Sequence, residues 1–443
     1  MSTPEIKNFV YLFQKIDKRA EIEYNKDMEK IHTAIIGGGA AGLFLASMLT
    51  EHNATNENKI PFVLLERNDR LGKKLSATGN GQGNVTNLCA GESEYFSLSE
   101  GASRAEKLIN EYPQTQFQAF WEKRGVLLTY DERGRAYPAS RQASALTDAL
   151  RYHLDGADVR LQAQVTGLEK DANGFLVRYQ KDGETKTLRA ENVVLCCGGK
   201  AAKNFGTDGT AYALARALGH SCTPLYPSLV QLKTELAPIK TLKGIRVAGG
   251  GLTAFAGNEK NSLRGDVIFT DYGVSGDAVF RASAFVADKI GKTDVRLYID
   301  FLPERSKEEI YAALKIKRAA FPALPVTELL FGIVNNQVGR AILKRADNNL
   351  EKAAGLVKQF PLEVTGSLGF DYAQVTKGGV PLAETDEGLQ SKLAAGLYFA
   401  GEMLDVDGQC GGFNLQWAYS SACAVCATLL SKSRKNTKCG GQV

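Results

Sequence analysis

The sequence predicts an α/β fold: a Rossmann-like dinucleotide-binding domain drawn from both ends of the chain, with an inserted β-barrel plus α-helical domain. Three observations carry this. A glycine fingerprint, "IIGGGAAGL" (residues 35–43), joins a β-rich run to an apolar helix pattern. Between about residues 223 and 371 the texture changes, first to short strands with glycine turns and then to amphipathic helices. Beyond that insert, "QVTKGGV" and "LYFAGEMLDVDG" return as strands before an apolar helix closes the fold.

The 443 residues exceed one ordinary core and suit two or three domains. Residues 1–29 are charged and weakly amphipathic, without the basic-then-apolar order of a signal peptide. They read either as a helical extension or as upstream sequence translated from a misplaced start, since Met28 directly precedes the first strand. No run reaches the roughly 18 apolar residues that span a bilayer. The eight scattered cysteines suggest reduced thiols. Both point to the cytoplasm, with no membrane partner. The net charge of +5 is mild, and residues 431–443 read as a disordered basic tail that holds part of it. Nothing in that balance suggests a nucleic-acid partner.

Residues 30–222 make the first part of the nucleotide domain. Gly37, Gly39 and Gly42 have G-x-G-x-x-G spacing between strand and helix, and Glu66 ends the next apolar run about 24 residues on. In that pattern Gly37 makes the tight turn, Gly39 admits a diphosphate, and Gly42 packs helix on strand. Glu66 would accept hydrogen bonds from a ribose, and Arg67 beside it could instead meet the 2′-phosphate of NADP. The loop "GKKLSATGNGQGNVTN" (residues 72–87) exposes backbone amides and follows the ribose-binding strand, which favours a cofactor-facing role. A helix over 141–155 leads to "VRLQAQVTGLE", "FLVRYQ" and "TKTLRA", a three-stranded meander. "ENVVLCCGG" follows as a separate buried strand ending on Gly198 and Gly199.

The insert, residues 223–371, divides into a barrel at about 223–285 and helices at about 304–360, with Ser306 and Glu309 spaced as a capping box. Residues 372–430 then complete the nucleotide domain. "GE" at Gly401–Glu402 and "GGFNLQWAYSS", which opens a helix at Asn414 or Leu415, would serve the far half of a long dinucleotide. That half needs an acid for ribityl hydroxyls and backbone N–H groups where charge gathers on reduction.

"GGGAAGL", "ERNDRLGKKLSATGNGQGNVTN", "FTDYGVSG", "QVTKGGV" and "LYFAGEMLDVDGQCGGFNLQWAYSS" resemble, in unbroken order from about residue 30 to 430, a bacterial flavoprotein family. It includes aminoacetone oxidases and the flavoprotein encoded with bile-acid-degrading genes, proposed as an ene reductase. The resemblance implies FAD, a two-dinucleotide-binding fold, and an insert of barrel plus helices. One departure stands out: the family loop is close to "GGGRCNVTN", whereas here Gln82 and Gly83 replace the arginine and cysteine.

Together these motifs give the FAD-binding set as Gly37, Gly39, Ala41, Gly42, Glu66, Arg67, Lys74, Gly79, Asn84, Thr86, Val165, Gly198, Gly199, Gly401, Glu402, Gly412, Asn414 and Leu415. Lys377 and Tyr272 are the candidate proton donors, because their stretches should face the flavin ring. Cys423 and Cys426 share one face of the closing helix and read as core. The four histidines lack metal-ligand spacing. The expected activity is hydride transfer between flavin and a small organic substrate. It would be either reduction of an activated C=C bond fed by NAD(P)H, or oxidation of an amine or aminoketone with O2 as acceptor. The alternatives outside this class are an FAD-containing RNA-modifying protein and a redox sensor.

Overall fold

Strand Phe62–Leu65 is buried at every residue, and the neighbouring strand Lys30–Ile36 is buried at its C-terminal end. Such continuous apolar runs belong in a parallel sheet covered on both faces. The computed structural model describes residues 28–92 and 94–439, and these strands lie at the centre of its main sheet. Residues 1–27, and with them nearly all of the expected N-terminal extension, lie outside the described residues.

Strand Asp158–Arg160 pairs in parallel with Phe62–Leu65, which pairs with Lys30–Ile36, which pairs with Glu184–Leu195. Leu397–Phe399, from the far end of the chain, adds in parallel to the last of these. The expected third meander strand and the expected separate buried strand are one twelve-residue strand, Glu184–Leu195. Its first half pairs antiparallel with Gly174–Lys181, and its second half joins the parallel sheet. No glycine or proline interrupts it, so nothing forces a break between the two roles.

Helix Ala40–Thr55 covers the sheet and packs against the closing helix, Phe413–Cys439. Phe44, Phe117, Phe120, Trp121 and Tyr419 interlock at this junction, mostly edge to face, with Phe117 and Tyr419 stacked at 4.2 Å. The closing helix runs on to Cys439, so the tail expected to be disordered from residue 431 is helical as far as that residue. Its polar sequence still leaves an i→i−4 ladder, continued from a helix already anchored by packing.

The insert contains a closed barrel of six strands: Leu232–Thr234, Gly273–Ser275, Glu259–Phe269, Arg246–Ala256, Val295–Asp300 and Phe360–Ser367. The barrel expected within 223–285 therefore differs from the one observed. That segment supplies four strands and would leave two open edges. Val295–Asp300 and Phe360–Ser367 close them, and the helices Lys307–Ala320, Asn336–Arg345 and Leu350–Lys358 form an excursion between these two strands. Ser306 and Glu309 form the capping box. Barrel and helices share one apolar core, separate from that of the main sheet. The chain leaves and rejoins the sheet domain through two paired strands, Tyr226–Ser228 and Val375–Lys377. No helix among the described residues is long and apolar enough to cross a membrane.

Candidate functional site

The first strand ends on Gly37, whose φ of 104° suits glycine. A Cβ there would lie 2.6 Å from the carbonyl oxygen of Cys196, and one on Gly42 would lie 1.9 Å from that of Gly37. These two glycines set strand and helix in close contact. Gly39 is different: a Cβ there would meet no atom within 4 Å, because the residue opens onto a cavity. The helix that follows has no acidic residue in its first turn and no side-chain cap. Its free N–H groups and positive dipole end suit a diphosphate.

Glu66 is 6% exposed. One oxygen accepts from the N–H of Gly38 at 2.7 Å, and the other from the backbone and side chain of Asn68 at 2.8 and 2.6 Å. The carboxylate is thereby locked beside the fingerprint, where a ribose could reach it. Arg67 forks onto both oxygens of Asp208, at 3.0 and 2.9 Å. These bonds hold the Asp208 carboxyl well below its usual range, and they occupy the guanidinium that a 2′-phosphate would need.

The two chain ends meet at Glu402. Its Oε2 accepts from Lys74 Nζ at 2.8 Å and its Oε1 from the Thr376 N–H at 2.8 Å. Gly199 lies so close that a Cβ would stand 2.3 Å from the Thr376 hydroxyl oxygen. In the loop 72–87, the Asn84 amide donates to the carbonyl of Ala136 at 3.0 Å, and the Thr86 hydroxyl donates to Gln416 Oε1 at 2.6 Å. Asn414 both accepts from and donates to the backbone of Gly408, at 2.9 and 2.8 Å. A Cβ on Gly412 would sit 2.4 Å from the carbonyl oxygen of Thr86. The asparagines and threonine thus shape the wall, leaving backbone to face the cavity.

That cavity has a volume of about 1100 Å³ and extends from Gly39 past Gly412 to the barrel. Sixteen of the eighteen sequence-predicted cofactor residues line it. The two that do not are Gly42, which is packed against the first strand, and Thr86, which is spent on Gln416.

Both candidate proton donors lie elsewhere. Lys377 is 7% exposed, and its ammonium is held by Asp288 at 2.7 Å and by the carbonyl of Ala284 at 3.1 Å. Tyr272 occupies the turn between two barrel strands, where its carbonyl accepts from the Thr234 N–H at 3.2 Å. Neither lines the cavity. Thr376, next to Lys377, does bond to Glu402, but the Lys377 ammonium is captured by the insert, and Tyr272 belongs to the barrel's own turn.

Residues 31–428 match the HI0933-like protein Rossmann domain family. A 3-dehydro-bile acid Δ(4,6)-reductase from Clostridium scindens is 33% identical over 404 residues, 87% of this chain and 96% of its own. A ribosomal RNA dihydrouridine synthase from Haemophilus influenzae is 28% identical over 414 residues, 90% of this chain and 98% of its own. Among solved structures, a 3-ketosteroid-Δ4-(5α)-dehydrogenase from Rhodococcus jostii covers 90% of this chain and 97% of its own, at 17% identity and a TM-score of 0.47.

This chain belongs to the HI0933-like family. It is an FAD-dependent oxidoreductase of Rossmann-like fold. The open N-cap at Gly39, the fixed Glu66 and the long cavity fit such a dinucleotide, since a side chain at residue 39 would fill the space that FAD needs.

Beyond the cofactor residues, the cavity has a wall that the motif analysis missed. Ile268, Asp277 and Phe280 come from the insert, and Arg135, Tyr137 and Arg141 come from the hairpin after residue 128. Their signal is faint, a strand "RAYP" followed by "ASR", and only tertiary contact brings them to the site. Burial raises the Tyr137 hydroxyl above its ordinary value. Burial likewise pushes the lining thiols of Cys197 and Cys410 up to about 12 and 11, so both are protonated at neutral pH. Cys423 and Cys426 are buried in the closing helix, away from this wall.

Proposed function

We propose that this enzyme reduces a C=C bond conjugated to a carbonyl, on a small substrate with an apolar body held between the nucleotide domain and the barrel. The observation that carries this is the nearly full-length likeness to a 3-dehydro-bile acid Δ(4,6)-reductase. The site supports it physically. Leu229, Ile268, Phe280 and Val375 give the insert side of the cavity an apolar wall suited to a hydrophobic ligand. When bound, FAD supplies hydride at N5. The chain's own residues then have three tasks: the glycine-lined groove holds the cofactor, the Lys74–Glu402–Thr376 junction fixes the two chain ends around it, and the apolar wall excludes water from the substrate. Reducing equivalents would come from NADH or NADPH, in the cytoplasm.

The test is an anaerobic absorbance titration of the purified flavoprotein with NADH, NADPH and aminoacetone in turn, followed by a 3-oxo-Δ4 steroid. Bleaching by a nicotinamide, with recovery when the enone is added, is the expected result. Bleaching by the amine, with recovery and peroxide in air, would replace the reductase with an oxidase.

A second substrate class is favoured by the likeness to a ribosomal RNA dihydrouridine synthase. Making dihydrouridine also reduces a C=C bond conjugated to a carbonyl, so the same chemistry would act on a base. A salt-dependent gel shift with ribosomal RNA, together with dihydrouridine formation, would select it over the steroid.

A further inference from the structure

Among the described residues, the cavity wall carries five cationic side chains: Arg67, Lys73, Lys74, Arg135 and Arg141. Four face a carboxylate. Arg67 meets Asp208 at 2.9 Å, Lys73 meets Asp69 at 2.7 Å, Lys74 meets Glu402 at 2.8 Å, and Arg135 meets Asp131 at 2.7 Å. Arg141 pairs with none of the described carboxylates. Its guanidinium instead lies over the ring of Tyr137, 4.2 Å from the centroid, a contact that orients the group while leaving its N–H donors free.

The backbone at Arg141 is left-handed, with φ of 53°, which a residue bearing a Cβ adopts only at a cost. The turn is held by its own N–H, which donates to the Pro138 carbonyl at 2.8 Å. Helix Ala143–His153 begins two residues later with no acidic residue in its first turn, so its positive end adds to the same potential.

We infer that Arg141 is the specificity-determining residue for an anionic substrate and recognises a carboxylate on it through charge-assisted hydrogen bonds. Resting on the enone-reductase reading above, this narrows the substrate class to unsaturated ketones bearing an acid. The uncapped helix N-terminus at Gly39 suits the dinucleotide's diphosphate, so an anion bound by Arg141 would be the substrate's.

The experiment measures equilibrium binding to the oxidised holoenzyme by perturbation of flavin absorbance, using two matched pairs. One is a 3-oxo-Δ4 steroid carboxylic acid and its methyl ester; the other is dodecanoate and dodecanol. Arg141→Gln should weaken the acids by about tenfold or more and their neutral twins by less than about twofold, with Arg141→Lys intermediate. FAD affinity, followed by flavin fluorescence, should not change. If the steroid pair leaves the wild-type spectrum unmoved while dodecanoate shows the Arg141-dependent preference, the enone reading fails and the anion site stands. Equal weakening of acid and neutral ligands, or a wild-type protein indifferent to charge in both pairs, overturns the inference. Loss of FAD affinity in Arg141→Gln without loss of acid binding overturns it in favour of a cofactor phosphate. An effect confined to an oligouridylate overturns it in favour of nucleic acid.

Discussion

Gly39 and Lys377 show what single residues reveal of themselves. The fingerprint glycines are legible because each answers a backbone requirement that no other residue meets, and their spacing is local. Gly39→Val should therefore leave the fold intact while removing FAD, since the added methyls enter open space that the diphosphate needs. The flavin-to-protein ratio after gel filtration, compared with an unchanged circular dichroism spectrum, checks this; full flavin retention would overturn the diphosphate assignment. Lys377 lies off the cavity wall because its partner, Asp288, lies far upstream on another domain, and sequence spacing carries no trace of that pairing. Lys377→Met should lower stability by about 1–3 kcal/mol, because a mostly buried Asp288 loses its counter-charge. Turnover per bound flavin should stay unchanged. A large fall in turnover at full flavin occupancy would return Lys377 to the catalytic machinery.

At the scale of elements, local signals identify single strands and helices but not which of them complete a sheet. The fingerprint glycines, the alternating strands of the meander and the capped helix at residue 307 are each signalled by their own local sequence. The strands Val295–Asp300 and Phe360–Ser367 alternate buried and exposed as strands do, but nothing local says that they close the barrel: a helical excursion separates them, and their place follows from the open edges of a four-stranded sheet. The closing helix also depends on distant partners. Gln416 is fully buried, accepts from the Thr86 hydroxyl at 2.6 Å, and donates to the Tyr112 carbonyl and the Ser420 hydroxyl, each at 3.0 Å. Its role explains why a helix made largely of core residues opens with "FNLQW": Gln416 ties it to the loop 72–87 that borders the cavity, and Asn414 ties it to Gly408. Gln416→Ala strands the Thr86 hydroxyl and should cost about 1–3 kcal/mol in urea denaturation. It should also weaken flavin retention, because the loop 72–87 loses its latch. An unchanged denaturation midpoint would show that the latch contributes nothing.

For the whole molecule, the question is how the barrel is held to the nucleotide domain, and Asp407 marks the joint. It is fully buried and accepts from the Ser228 hydroxyl at 3.1 Å. Ser228 lies on the strand by which the chain enters the insert, and Lys377 on the strand by which it returns. Burial raises the Asp407 pKa to about 7; the ammonium of Lys377 and the Ser228 bond pull it down, while Asp405 and Glu402 push it further up. The sign of the consequence follows from linkage. In the unfolded chain this carboxyl titrates near 3.9, so between about pH 4 and 7 the folded protein keeps a proton that the unfolded chain has shed. The favourable contribution is complete below pH 4, falls as pH rises through that window, and is gone above about pH 7. Asp407→Asn removes the titration while keeping an oxygen for Ser228. The variant should melt close to wild type at pH 4.5 and above it at pH 8, with a difference of at most about 4 kcal/mol for a shift of this size. Thermal melts of both proteins at the two pH values decide the matter. A difference of the same size at both would mean that Asp407 is ionised throughout, its charge balanced by Lys377, and that the joint between the domains is a salt bridge and not a buried acid.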